Sequence, residues 1–174
     1  MNQASNSAHL AAPMSTAVLA AIAAASAGAL GLALISQYGF DLWPCILCYY
    51  QRVPYGVAGV LALLAMMPAV DGRSRRLVAC HCAGLFVVNA GIAFFHVGVE
   101  HRWWRGPSEC IGQIKDYSST DLLAALSQAG RTGCEDPAFT FLGISMAGYN
   151  VLASLILAAL CISAIRKTAW WIRP

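Results

Sequence analysis

The sequence predicts an all-α integral membrane protein built as a four-helix bundle, and three observations support this prediction. Of the 174 residues, 59% are hydrophobic. Only 11% are Asp, Glu, Lys or Arg, whereas soluble domains carry about 25% charged residues. The charged residues are clustered, and the four gaps between clusters are long enough to cross a bilayer. This composition disfavours a soluble cytosolic enzyme, a disordered tail and a nucleic-acid-binding domain.

Each gap predicts one membrane span within a single domain of residues 1–174. The spans are expected at about 14–36, 53–70, 77–97 and 144–165. Their interiors contain no Asp, Glu, Lys or Arg, which disfavours a transporter because ion and proton paths usually carry an intramembrane charge. A cleaved signal peptide is the alternative for the first span. The basic segment that should precede such a signal is missing.

The basic residues predict that both termini are cytoplasmic. Six of them lie in the connection between spans two and three and in the tail after span four: Arg73, Arg75, Arg76, Arg166, Lys167 and Arg173. Short segments rich in Lys and Arg stay on the cytoplasmic side of a membrane. The loop at 37–52 and the longer loop at 98–138 therefore face outward, toward the periplasm if the host is a Gram-negative bacterium.

The second outward loop is predicted to carry a short helix of its own. Ser119 or Thr120 would cap a helix over residues 121–126, and Gly130 would end it. Its leucines and alanines suit a helix lying on the membrane surface. Packing of the same segment on the bundle would explain them equally well.

The seven cysteines fall into two groups by their position in this topology. Cys45, Cys48, Cys110 and Cys134 lie in the outward loops, where disulfides form and persist. Two disulfides can form among them, and three pairings are compatible with their spacing. The others lie in spans three and four and are interpreted as packing residues: Cys80, Cys82 and Cys161.

Cys45 and Cys48 form a CxxC pair at the start of the second span. If a helix begins near Cys45, its free N–H groups and dipole stabilise a thiolate there, and the pair can cycle between dithiol and disulfide. Arg52 lies one turn beyond Cys48 on the same face. Its charge would stabilise a thiolate or an anion-like oxygen, although an interfacial arginine reaching lipid headgroups is an equally good explanation.

Cys110 and Cys134 flank a loop rich in Ser, Gly and charged residues. A bridge between them would be a structural staple or, if exposed, a labile disulfide open to attack by a thiolate. A zinc site made of all four outward cysteines is the main chemical alternative, but such sites normally show two CxxC knuckles. A thioredoxin fold is disfavoured because no βαβ pattern accompanies the CxxC pair.

Taken together, these motifs resemble those of one known family. The matching segments are WPCILCYYQR at 43–52, Glu100-His101, the split pair Cys110 and Cys134, and FLGISMAGYN at 141–150. They make the chain similar to disulfide bond formation protein B, the DsbB family of membrane thiol:quinone oxidoreductases. The resemblance covers nearly the whole chain. One departure is Gln51, where many relatives have Glu.

The resemblance implies a relay of disulfide exchange at the bacterial inner membrane, with both redox loops in the periplasm. A reduced thioredoxin-fold oxidase of the DsbA type would attack a Cys110–Cys134 disulfide and bond to Cys110. The released Cys134 would then attack a Cys45–Cys48 disulfide. These four cysteines are the catalytic residues that the resemblance implies, and no metal is expected.

The resemblance also implies a quinone as electron acceptor, either ubiquinone or menaquinone. Cys48 as a thiolate would donate to the quinone, and Cys45 would complete the new disulfide. Arg52 and His101 would lie near the quinone oxygens, with His96 as the substitute for His101. Two other functions remain open: a reductase similar to vitamin K epoxide reductase, whose CxxC belongs to a late helix, and a non-enzymatic scaffold stapled by disulfides.

Overall fold

Four long helices make up most of the computed structural model, which describes residues 3–110 and 133–171. They are α1 (Gln3–Gly39), α2 (Ile46–Ala65), α3 (Gly72–Glu100) and α4 (Met146–Arg166). Single 3₁₀ turns cover Ser108–Cys110 and Thr168–Trp170, and two short antiparallel strands, β1 (Thr140–Phe141) and β2 (Ile144–Ser145), precede α4. The prediction of a helical membrane protein is confirmed, with this hairpin as an addition. The helix expected at 121–126 lies outside the described residues.

Three of these helices are long and apolar enough to cross a membrane. The qualifying segments are Met14–Gly39, Gly72–Glu100 and Met146–Arg166, with mean hydropathies of 2.3, 1.9 and 2.0. The chain is therefore a multi-pass membrane protein. Helix α2 has the length of a span, 20 residues, but its first two turns carry Tyr, Gln and Arg side chains. Those polar turns belong to the functional site described below.

Helices α2 and α3 begin earlier than the charge gaps predicted, whereas the helix predicted from residue 144 begins at Met146. The second span was expected from residue 53, yet α2 begins at Ile46, because Cys45 is extended and its sulfur accepts the N–H of Cys48. Asp71 caps α3 in the same manner, and Ser145 caps α4. A gap between charges marks the apolar part of a helix and misses its polar first turns.

Small residues fill the interior of the bundle, and large apolar residues point outward. Helix α3 packs against α2 and α4, while α1 packs against α2. Ala58, Ala62 and Ala65 are buried in the second half of α2, where their small side chains allow close helix approach. The outward side chains are those that a lipid environment accepts, and they include Leu32, Val60, Leu63, Val88, Ile156 and Leu160. The arrangement suits hydrocarbon as the surrounding solvent.

The end of the bundle that was predicted to be cytoplasmic is closed by a tryptophan. The side chain of Trp171 is buried, and its Nε1 donates to the carbonyl of Ala164 at 3.0 Å. Its backbone lies directly on Gly72, where a Cβ atom would fall 1.6 Å from the Trp171 carbonyl oxygen. Only glycine fits at the first residue of α3 in this packing.

We predict that Gly72→Ala destabilises the folded protein. The added methyl group must displace the backbone at Trp171, and such overpacking costs about 1–3 kcal/mol. Denaturant titration in detergent micelles measures the change. Gly84→Ala on the same helix is the matched control, because a Cβ there meets nothing within 4 Å and alanine is favoured over glycine inside helices by about 0.5–1 kcal/mol. Equal stability of the two variants would contradict the packing described here.

Candidate active site

The CxxC pair occupies the junction between the loop after α1 and the start of α2. Cys45 is the N-cap residue and is 5% exposed, whereas Cys48 sits in the first turn and is partly exposed. Both are free thiols, and their sulfurs lie 3.2 Å apart. The backbone N–H of Cys48 points at Cys45 Sγ at 3.4 Å. The N-terminus of α2 therefore lies at the Cys45 sulfur, where its free N–H groups and dipole can stabilise a thiolate.

His96 of α3 completes the surroundings of the Cys45 sulfur. Its Nε2 lies 3.5 Å from Cys45 Sγ. The hydrogen bond with the Cys48 side chain, together with the contact to His96, holds the pKa of Cys45 far below its ordinary value despite burial. These contacts therefore favour the thiolate form of Cys45.

A buried chain of hydrogen bonds leads from His96 into the middle of the bundle. The amide Nε2 of Gln51 donates to His96 Nδ1 at 2.9 Å, and its Oε1 accepts from Asn150 Nδ2 at 2.5 Å. The hydroxyl of Tyr55 donates to Asn150 Oδ1 at 2.7 Å. Asn89 extends the chain by donating to the hydroxyl of Ser154 at 2.9 Å. Helices α2, α3 and α4 thus meet in one polar network.

A second short chain leads from His96 toward the outward end of the bundle. Glu100 follows His96 by one turn, and its Oε1 lies 3.8 Å from His96 Nε2. Its other carboxylate oxygen accepts from the hydroxyl of Ser145, the N-cap of α4, at 2.5 Å. Both side chains of the His96–Glu100 pair are almost completely buried.

Cys110 and Cys134 are joined as a disulfide, and this bridge packs on the CxxC pair. The sequence left open whether this bridge is a structural staple or an exposed, labile disulfide; in the structure the two residues are 3% and 1% exposed. They share one buried cluster with Cys45 and Val99. Gly106 allows the Cys110 side chain to pack closely against the backbone, because a Cβ atom at position 106 would lie 2.9 Å from Cys110 Cβ.

An apolar cavity of about 280 Å³ opens beside the CxxC pair between α1, α2 and α4. Cys45, Cys48 and His96 form part of its wall, and Arg52 supplies a positive charge. The apolar lining comes from residues such as Leu30, Leu32, Ala33, Leu42, Phe139 and Met146. The cavity can hold a flat apolar molecule that carries a few polar atoms.

The guanidinium of Arg52 is held at this cavity by groups of the protein. Nη1 donates to Gln37 Oε1 at 2.7 Å and Nη2 to the carbonyl of Ala33 at 3.4 Å, both on α1. The Tyr49 ring lies 5.0 Å from the guanidinium carbon. These contacts favour a role in the site over a side chain that extends to lipid headgroups.

His101 is not brought to the cavity. It is exposed, follows the end of α3, and stacks on Trp103 with ring centroids 5.4 Å apart. Sequence reasoning named His96 only as the substitute and missed Gln51, Asn150 and Glu100 as network members. Helical spacing is the sequence signal that could have found some of them. His96 and Glu100 are one turn apart, as are Gln51 and Tyr55, so each pair lies on one face of its helix.

Three ligand atoms in the described part of the chain lie close enough to hold a metal ion. Cys45 Sγ, Cys48 Sγ and His96 Nε2 all lie within 4.8 Å of one another. The four-cysteine zinc site considered from the sequence is not formed, since Cys110 and Cys134 are bonded to each other. Away from this cluster the remaining cysteines differ in exposure: Cys80 is exposed, and Cys82 and Cys161 are buried in the core.

Comparison with known proteins identifies one family. The family model described as "Disulfide bond formation protein DsbB" matches residues 15–164. A disulfide bond formation protein B of Saccharophagus degradans is 29% identical over 148 residues, covering 81% of this chain and 89% of the relative. A protein of the same name from Aromatoleum aromaticum is 26% identical and covers 83% of this chain and 88% of the relative. Another, from Marinobacter nauticus, is 27% identical and covers 77% of this chain and 82% of the relative. No solved structure matches the chain.

We predict that Asn150→Leu destabilises the protein, because it removes the buried donor to Gln51 Oε1 and one of the two partners of the Tyr55 hydroxyl. An unsatisfied buried polar group costs about 1–3 kcal/mol. Denaturant titration in detergent measures the loss. Tyr149→Phe is the neighbouring control, since the exposed Tyr149 hydroxyl makes one hydrogen bond, to the Phe141 carbonyl. An Asn150→Leu variant as stable as this control would show that the network contributes nothing to folding.

Proposed function

Since this chain belongs to the DsbB family of membrane oxidoreductases that act in disulfide bond formation, we propose that it reoxidises a periplasmic thioredoxin-fold oxidase of the DsbA type. Two electrons pass through Cys110 and Cys134 to Cys45 and Cys48, and then to ubiquinone or menaquinone in the inner membrane. One observation carries this proposal. The CxxC pair borders the apolar cavity and also packs against the Cys110–Cys134 bridge.

Electrons enter at the Cys110–Cys134 bridge. A thiolate of the reduced partner attacks Cys110, the bridge breaks, and Cys134 leaves as a thiolate. Because both sulfurs are buried in the observed arrangement, the bridge must move away from the CxxC pair before a partner can reach it. The partner's second thiol then completes its own disulfide and releases Cys110.

Transfer of electrons to the CxxC pair requires Cys110 and Cys134 to be in close contact with that pair, whereas exchange with the partner requires them to be away from it. Cys134 attacks Cys45 of a Cys45–Cys48 disulfide, and Cys48 leaves as a thiolate. Cys110 then attacks Cys134, so that the bridge reforms and Cys45 is released. Two electrons have moved, and the products are a Cys110–Cys134 disulfide beside a Cys45–Cys48 dithiol. This is the combination of oxidation states in the structure.

Electrons leave from the CxxC pair into the cavity. A quinone accepts two electrons and two protons in becoming a quinol. The apolar lining and the single guanidinium suit such a molecule, and Arg52 would stabilise negative charge on its oxygen because it is already fixed in place. Cys48, which borders the cavity, would lose its proton and pass two electrons to the quinone as Cys45 bonds to it, so that a Cys45–Cys48 disulfide forms and the two thiol protons balance those of the quinol.

We predict that Cys48→Ser and Cys110→Ser each abolish quinone reduction by the reduced DsbA-type partner. The measurement is stopped-flow absorbance of a soluble ubiquinone analogue with purified protein. Cys80→Ser is the control, because Cys80 is exposed on α3 and remote from the site. If wild-type protein with an intact bridge reduces neither ubiquinone nor menaquinone analogues, the disulfides are staples and the proposed activity is wrong.

We predict that Arg52→Met raises the KM for quinone by roughly 10-fold to 100-fold, the equivalent of one hydrogen bond to a charged group. Exchange between the partner and Cys110 should be unchanged. Arg102→Met serves as the control, since Arg102 is exposed beyond the end of α3.

The same assay decides between His101 and His96. His101 was expected at the quinone from sequence resemblance, but its position beside Trp103 supports His96 instead. We expect His101→Ala to leave the KM for quinone within about two-fold of wild type, below the effect of one hydrogen bond. A rise in the KM for quinone as large as that of Arg52→Met would show that His101 does contribute to the quinone site.

A further inference from the structure

We propose that Cys45, Cys48 and His96 form a binding site for a soft divalent cation, Zn²⁺ or Cd²⁺, which exists only while the two cysteines are a dithiol. Cation binding itself is independent of the proposed function. Its consequence, arrest of quinone reduction, rests on that function. The argument begins with the spacing of the three ligand atoms.

The ligand atoms are already arranged almost as a tetrahedral metal site requires. Metal–ligand distances of about 2.3 Å for sulfur and 2.0–2.1 Å for nitrogen place tetrahedral ligands about 3.8 Å (S to S) and about 3.6 Å (S to N) apart. The observed separations are 3.2 Å between the sulfurs and 3.5 Å from Cys45 Sγ to His96 Nε2. The two sulfurs must open slightly, and Cys48 Sγ and His96 Nε2, which lie within 4.8 Å of each other, complete the triangle.

The donor set is one that zinc uses in proteins. Two thiolates and one imidazole with a fourth position open is a known catalytic zinc arrangement, and thiolates select soft cations over Mg²⁺ or Ca²⁺. Here the three residues border the cavity, so a water molecule can take the fourth position. Glu100, whose Oε1 lies 3.8 Å from His96 Nε2, adds a negative charge that favours a cation.

The second nitrogen of His96 is engaged by a neighbouring side chain, as the second nitrogen of a metal-ligating histidine is. Ligating histidines almost always use the other ring nitrogen in a hydrogen bond that fixes the ring. His96 Nδ1 pairs with the side-chain amide of Gln51 at 2.9 Å. With the amide nitrogen donating, Nδ1 accepts and the neutral ring carries its proton on Nε2, so metal binding at Nε2 requires that proton to move to Nδ1 and the Gln51 amide oxygen to turn toward the ring.

Oxidation state controls the site because a disulfide removes both thiolate ligands. Binding to the dithiol needs no redox change: both cysteines bind as thiolates, any proton that they carry passes to solvent, and the ion keeps its charge. While the ion is bound, both sulfur electron pairs are engaged and the cavity wall is blocked. The dithiol then cannot be oxidised by the quinone.

Co²⁺ binding to the purified full-length protein in detergent tests the site without using enzyme activity. We expect the reduced protein to bind one Co²⁺ at this cluster, with the intense visible absorption of a tetrahedral ion and a sulfur-to-cobalt charge-transfer band. The oxidised protein should show neither. His96→Ala should weaken binding at least about 10-fold, whereas His81→Ala, on the same helix but exposed, should bind as wild type does.

Two results would overturn the site: equal binding by oxidised and reduced protein, or equal affinity of the His96→Ala and His81→Ala variants. If His96→Ala fails to fold, Cys48→Ser must lose the tetrahedral spectrum instead. Cd²⁺ then tests the consequence, since it should stop quinone reduction at its binding concentration, with recovery after addition of a chelator. Binding with undiminished turnover would refute the proposed electron path through this dithiol and leave the cation site standing.

Discussion

The buried hydrogen bonds that join α2, α3 and α4 are the constraint on which the site depends. In a hydrocarbon environment an unpaired polar group costs several kcal/mol, so Gln51, His96 and Asn150 must face one another. Meeting that requirement sets the rotation of each helix about its axis. The rotation that pairs Gln51 with His96 also brings His96 Nε2 to the sulfur of Cys45. The surroundings of the reactive thiol follow from the pairing of buried amides.

The Cys110–Cys134 bridge faces two opposed demands. Exchange with Cys45 requires the sulfurs to be in contact inside the protein, whereas exchange with a soluble partner requires them at the surface. The structure satisfies the first, with the bridge packed on Val99 and the start of α2. One fixed position cannot satisfy the second, so the proposed cycle needs two positions of the bridge. The small buried cluster that holds it makes separation less costly than disruption of the main helical core would be.

Much of this arrangement was accessible from the sequence, and the missing parts have physical reasons. Charge gaps revealed the apolar helices, and the CxxC pair with Arg52 revealed one wall of the cavity. Helix starts were misplaced because Cys45 caps α2 through its own sulfur, a local contact that hydropathy does not register. His96 was ranked below His101 because a motif records neighbours along the chain, whereas the Cys45–His96 contact depends on how α3 packs against α2. Burial of the bridge depends on tertiary contacts of the same kind.

The geometry that suits electron transfer is also the basis of the proposed binding of soft cations. A dithiol that is to be oxidised quickly needs one sulfur as a thiolate, the second sulfur within reach, and a hydrogen-bonding group to stabilise the charge. Cys45, Cys48 and His96 meet these needs at separations of 3.2 and 3.5 Å. The same three atoms are good ligands for Zn²⁺ at nearly the same separations. A quinone in the cavity would protect the dithiol by oxidising it, because the resulting disulfide no longer binds the ion.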